Sequence, residues 1–295
     1  MRALWGITLN TFREAVRQPF YYLLVGTAAA AVLITMRLPF FTFYSDVDMY
    51  KDLGLSFILV FVLLAGLLAA ATGVAREVED KTAQTILAKA LGRWQFVLGK
   101  YLGAMGAVVV AALVLGVVFS AAVYYRVELD AGPLEQGYAQ GGIGAQVTAF
   151  REMQVNQAIT VTAGVVLAVL QVGVLAAVAT ALSTRFSPAA SVALSLAAFL
   201  VGHLTVFLEG AVRAAGGLGV GLVQGVLTVM PFLEVFNINQ KLSHAILTPL
   251  EAGSRGAADW AAVWSYVGLS SLYAVAYSAA AIALGVLLFR RRSLS

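Results

Sequence analysis

The chain has 295 residues, 61% of them hydrophobic and only 12% charged, with a mean hydropathy of +0.88. A soluble domain carries about 25% charged residues, so this composition excludes a soluble fold and predicts a polytopic membrane protein. The lack of cysteine rules out disulfides, thiolate metal sites, iron–sulfur clusters and thiol catalysis, and the net charge of +4 gathers beside apolar runs, which is a topology signal and not a nucleic-acid one.

Residues 3 to 18 carry apolar side chains at Leu4, Ile7, Phe12, Ala15 and Val16, with Arg13, Glu14 and Arg17 facing elsewhere. This pattern predicts an amphipathic helix lying in the membrane interface, with Trp5 and Phe12 as anchors. Pro19 allows a sharp turn into the bilayer. No small-residue cleavage pattern follows the next apolar run, so the segment is expected to be retained and not to act as a removed signal.

A spanning helix needs about 20 mostly apolar residues. Six such intervals are expected, near 20–36, 53–75, 101–124, 158–182, 188–208 and 261–289, all within one transmembrane domain covering 1–295. The fold class is therefore an all-α helical bundle in the membrane. Residues 125–157 are polar and glycine-rich and read as an outer loop with a helix near Gln146–Gln157; residues 209–260 form a second outer segment. Within the latter, Ala214–Leu233 is long and uncharged enough to span, but its glycines and Pro231 favour a re-entrant or interfacial hairpin shielded from lipid. Lys and Arg are denser on the stretches that six spans place with the termini, Arg290, Arg291 and Arg292 among them. The expected location is the inner, cytoplasmic membrane with both termini in the cytoplasm.

The stretch Arg76–Lys100 is the one long charged interruption between two spans. From Thr82 to Leu91, Ala83, Ile86, Leu87, Ala90 and Leu91 fall on one helical face, opposite Gln84, Thr85 and Lys89. Asp80 or Thr82 can cap the start, and Gly92 suits a left-handed residue that ends the helix. Arg93-Trp94-Gln95-Phe96 then places a cation and aromatics at the interface. A short amphipathic helix held between two spans fits a groove of another protein.

Motifs for chemistry are few. There is no Gly-x-x-x-x-Gly-Lys-Ser/Thr phosphate loop and no His-Glu-x-x-His helix. The two histidines, His203 and His244, stand apart, and no metal site is expected. Inside the spans, Gln171 and His203 are the polar residues that could line a path, with Glu209 capping the fifth span. A relay of carboxylates for proton-driven transport is missing, so the energy source is expected in another chain.

The combination of Thr11-Phe12-Arg13-Glu14-Ala15-Val16-Arg17, Arg76-Glu77-Val78-Glu79-Asp80-Lys81-Thr82, Ile86-Leu87-Ala88-Lys89-Ala90, Arg93-Trp94 and Leu98-Gly99-Lys100 resembles the permease subunit of an ATP-binding-cassette transporter of the second exporter type. More narrowly, it is similar to the permease that serves copper-centre assembly of nitrous-oxide reductase. The likeness spans the whole chain, although the family commonly has a Pro where Ala90 stands. The resemblance implies that the Arg76–Lys100 loop is a coupling helix seated in a separate nucleotide-binding ATPase subunit. Its contacts would be Glu77, Glu79, Lys81, Thr82, Thr85, Ile86, Lys89 and Arg93, supported by Arg13 and Arg17 of the elbow helix. It also implies a second permease copy, with ATP and Mg held in the partner subunit and no cofactor in this chain. Two other readings are compatible with parts of the pattern: a mechanotransmitting or structural subunit of an ATP-driven assembly, and an intramembrane enzyme using His203, Glu209 or His244. The enzyme reading lacks paired carboxylates or a nucleophile and base on one helical face.

Overall fold

The computed structural model describes residues 2–38, 46–79, 92–140, 144–215, 221, 225, 230–237 and 260–290. Seven helices account for nearly all of them: α1 (Arg2–Arg17), α2 (Pro19–Thr35), α3 (Asp46–Glu79), α4 (Arg93–Gln140), α5 (Gly144–Ser183), α6 (Pro188–Ala215) and α7 (Trp260–Arg290), with a short 3-10 turn at Leu233–Phe236. There is no strand among the described residues.

The first two helices are separated by a single residue. Gln18 is extended (φ −69°, ψ 130°), and Pro19 opens α2 at the position where its missing N–H costs nothing. The two axes meet at 63°, so α1 leaves the line of the bundle as an elbow. Five helices are long and apolar enough to cross a membrane alone, over Val47–Val74, Arg93–Arg126, Gln154–Ser183, Pro188–Thr205 and Trp260–Phe289. The bent pair α1–α2 brings the number to six.

The centre of the bundle is α5. Of its membrane-crossing stretch, 72% is enclosed by the protein, against 28% for α6 and for α7. It packs against α3, α4 and α7 along its length, while α2 leans on α3 and α4. Close approach of the central helices depends on small residues. A Cβ at Gly66 of α3 would lie 2.7 Å from Val108 of α4 and 2.8 Å from Val172 of α5, so three helices meet at a point that only hydrogen can occupy. The outward faces of α4 and α7 carry exposed leucines and valines, among them Leu113, Val117, Leu269 and Leu272, as expected where lipid replaces water.

Two readings from sequence are corrected. The outer segment 125–157 is not principally loop: α4 continues to Gln140 and α5 begins at Gly144. Falling hydropathy marks where the bilayer ends, but the helix runs on beyond it through Gly132 and Pro133, against the low helix propensity of both. In the same way α6 extends past Leu208 to Ala215. Gly92 does not take a left-handed backbone. It precedes α4, its N–H donating to Gln95 Oε1 at 3.2 Å and its carbonyl accepting from the Gln95 and Phe96 amides, half of a capping box.

Candidate functional site

At the end of the bundle where α3 stops and α4 starts, the elbow helix docks against α4. The contact is made by a stripe of glycines. A Cβ at Gly99 would come within 2.8 Å of Ile7 Cγ2, one at Gly103 within 2.5 Å of Thr11 Cβ and 2.7 Å of the Thr8 carbonyl, and one at Gly106 within 3.0 Å of the Phe12 ring. The spacing Gly-x-x-x-Gly-x-x-Gly keeps the three on one face of α4, and α1 lies in the trough they leave. The partner that these glycines admit is α1.

Charged and aromatic side chains tie this trough to the rest of the end. Lys100, 1% exposed, points Nζ at Glu14 Oε2 of α1 at 4.0 Å and lies 6.0 Å from the centroid of Phe96. Phe96 stacks on Phe289 of α7, with centroids 5.7 Å apart and planes 19° apart, and the Arg93 guanidinium sits 6.0 Å from the Phe289 centroid. Phe96 and Phe289 are fully buried. The expectation that Phe96 is an interfacial aromatic is therefore corrected: Trp94 is exposed in that role, while Phe96 turns into the protein. The start of α4 thus touches α1 through glycines and Glu14, and α7 through Phe289.

Of the residues expected to contact an ATPase, Glu77 and Glu79 belong to the last turns of α3, and Arg93 opens α4. Lys81, Thr82, Thr85, Ile86 and Lys89 lie outside the described residues. Arg13 and Arg17 are both exposed on the elbow helix. Sequence reasoning did not identify Glu14 or Phe289, whose partners are 86 or more positions away; the alternation of Arg13, Glu14 and Arg17 offered only a polar stripe.

The two polar residues picked out within the spans meet each other. Gln171 of α5 is buried, and its Nε2 lies 3.1 Å from His203 Nε2 of α6. His203 Nδ1 is 3.0 Å from the Phe199 carbonyl. A carbonyl can only accept, so Nδ1 is the donor to Phe199, and the tautomer with Nε2 bare lets that nitrogen accept from the Gln171 amide. The geometry satisfies both side chains. Beside His203, Gly202 receives the segment Met230–Asn237: its Cβ would stand 2.7 Å from the Pro231 carbonyl and 2.8 Å from Leu233. Leu233 and Phe236 are buried, the Phe232 N–H donates to the Tyr273 hydroxyl at 2.8 Å, and the Tyr266 hydroxyl donates to the Val235 carbonyl at 2.7 Å. This segment is irregular backbone wedged between α6 and α7, with its peptide groups met by tyrosine hydroxyls. Most of Ala214–Leu233 lies outside the described residues, as does His244; Glu209 falls within α6. Among the described residues, no three His, Cys, Asp or Glu side chains come together as a metal site.

At the opposite end from Lys100, buried charges join the helices. Lys51 Nζ lies 2.8 Å from Asp48 and donates to Gln157 Oε1 of α5 at 2.5 Å. Arg126 of α4 donates to the Met36 and Leu38 carbonyls just past α2, at 2.5 and 2.9 Å, where a cation also complements the helix dipole. Lys51 and Arg126 are each 5% exposed. Both cations are internal ties between helices.

These elements define an integral membrane protein, an all-helical bundle with its amino-terminal helix folded back against the base of another span. The sequence matches the family described as ABC-2 family transporter protein over residues 10–294, and the chain belongs to that family. It is accordingly a membrane permease subunit of an ABC transporter, a transport component that partners with an ATP-binding subunit and is not itself the catalyst. No curated protein matches the chain.

Proposed function

We propose that the chain is the membrane subunit of an exporter and that it converts ATP hydrolysis in a separate nucleotide-binding subunit into movement of its helices. ATP and Mg belong to that partner. Glu77, Glu79, Lys81, Thr82, Thr85, Ile86, Lys89 and Arg93 form the gripping surface, with Arg13 and Arg17 of the elbow helix beside it. Two copies of the chain pair in the inner membrane with both termini in the cytoplasm, and the cargo moves between them, with Gln171 and His203 as polar residues near its path.

The observation that carries this reading is the construction of the α4 base. Residue 92 joins the 80–91 segment directly to a helix that is locked to α1 by three glycines and to α7 by Phe96 and Phe289. A force on 80–91 therefore has two helices to act on besides its own. The family match supports the class; it does not extend to the narrower likeness to the nitrous-oxide-reductase permease.

The test is co-expression with a nucleotide-binding subunit that co-purifies with it, comparing wild type with Glu79→Arg and Ile86→Arg. Loss of assembly, or of the permease's effect on ATPase rate, is the expected result. Equal assembly and equal hydrolysis in all three would remove the coupling assignment. Transport of a labelled cargo into inverted vesicles then separates export from purely mechanical work on an assembly.

A further inference from the structure

We propose that the chain carries a resident phospholipid site, distinct from any cargo path, in a groove of about 880 Å³ between α4 and α7 floored by α5. The proposal needs only that these helices span a bilayer and does not rest on the exporter reading.

The groove is shaped by a change in side-chain size. On α4 its wall is Trp94, Leu98, Tyr101 and Met105; on α7 the facing positions include Ser278, Ala279 and Ala283, small residues that leave the space open. Gly173 of α5 forms part of the floor, where a Cβ would already stand 3.2 Å from Met105 Cε. The wall carries few polar groups, the Tyr101 and Ser278 hydroxyls and the Trp94 indole N–H, and is otherwise apolar. A volume in the range of about 300–1,000 Å³ is that of pockets that hold small ligands.

Length decides the occupant. The α4 wall runs from Trp94 to Met105, about 17 Å at 1.5 Å per residue. The hydrocarbon core is about 30 Å thick, so the groove covers one leaflet and is too short for a transmembrane helix of another protein. One acyl chain fits that span. The open end carries the mark of a membrane surface: Trp94 is 52% exposed there, and Arg93 precedes it. A guanidinium at that depth complements the phosphate of a lipid whose tail lies along α4, so an anionic head group is favoured.

The experiment is native mass spectrometry of the purified full chain, with its ATPase partner where the two co-purify, after incubation with palmitoyl-oleoyl phosphatidylglycerol or phosphatidylcholine. Wild type is expected to retain phosphatidylglycerol in preference to phosphatidylcholine. Ala279→Phe fills the groove from an exposed position and should lower retention of both lipids about tenfold, the factor that corresponds to forfeiting about two buried methylenes. Arg93→Gln should cut the preference for phosphatidylglycerol about fivefold while keeping the tail bound. Leu113→Phe, on an exposed part of α4 outside the groove, should behave as wild type. Size-exclusion profiles verify folding, and Ala283→Phe gives a second filled variant should Ala279→Phe aggregate. Wild-type retention in a monodisperse filled variant overturns the site. So does a co-purifying polypeptide that the filled variant releases, and an unchanged preference in Arg93→Gln overturns the head-group assignment.

Discussion

Replacing Gly103 by alanine tests whether the elbow helix is held by contact with the glycine trough. The new Cβ would stand 2.5 Å from Thr11 Cβ and 2.7 Å from the Thr8 carbonyl, and the second of these is backbone that cannot rotate away. Relief requires α1 to move off α4 by roughly 1 Å along its length, and such overpacking costs about 1–3 kcal/mol. Alanine returns about 1 kcal/mol as a better helix former than glycine, so the net loss is about 0–2 kcal/mol. Two matched substitutions set the scale. Gly106→Ala meets only the Phe12 ring at 3.0 Å, which can turn, and should be near neutral; Gly26→Ala of α2 meets nothing within 4 Å and should be neutral or stabilising. The assay is thermal inactivation of the purified protein in detergent followed by fluorescence-detected size exclusion. The midpoints should rank Gly26→Ala above wild type or equal to it, Gly106→Ala close to wild type, and Gly103→Ala clearly lowest. A Gly103→Ala midpoint equal to that of Gly26→Ala would refute the idea that backbone contact at the trough holds the elbow.

Other outcomes follow from the buried polar ties. Lys51→Met removes the cation beside Asp48 and the donor to Gln157 and should cost up to about 3 kcal/mol, with the double variant Asp48→Asn/Lys51→Met recovering part of the loss; equal midpoints for the single and double variants would contradict the pairing. Gln171→Leu leaves the half-buried His203, and His203→Phe the buried Gln171, without this hydrogen bond, at about 1–3 kcal/mol, and the double variant should cost less than the sum, a coupling that thermal unfolding can measure. Tyr266→Phe and Tyr273→Phe remove the hydroxyls that meet the Val235 carbonyl and the Phe232 N–H, so amide exchange at 232–236 should accelerate while exchange in α5 stays as in wild type.

Much of the architecture was legible before any coordinates. Hydropathy is a one-dimensional property, and the bilayer imposes it on each span independently; Pro19 and the stripe of Arg13, Glu14 and Arg17 likewise announce the elbow locally. The places where the reading fell short all depend on a partner distant in the chain. Gly99, Gly103 and Gly106 show that something approaches closely, but only the fold shows that it is α1. Phe96 has the composition of an interface and the location of a core residue because Phe289, nearly two hundred positions on, stacks against it. Lys51 looks like a loop charge, yet Gln157 and Asp48 keep it inside. The extension of α4 past Tyr124 was missed for another reason: hydropathy reports only where lipid stops, and Gly132, Pro133 and Gly137 are turn signals that the helix overrides. Gln171 and His203 were picked singly as polar residues in apolar spans, and their meeting is a property of how α6 packs on α5.

The length of α4 has a mechanical consequence. From Arg93 to Gly132 it contains no proline, and those residues extend about 60 Å, more than the roughly 40–45 Å of a bilayer with its head groups. It is a single rod that protrudes from the membrane and is anchored near both faces, by Glu14 and Phe289 at one end and by Arg126 at the other. A tilt of about 10° about its middle displaces each end by about 5 Å at this length, in opposite directions and with no joint between. Through the Arg126 guanidinium on the Met36 and Leu38 carbonyls, the far displacement reaches the end of α2 as well. A motion imposed beside Gly92 thus arrives on the other side of the membrane reversed in sign and, at Arg126, at about two-thirds of its size.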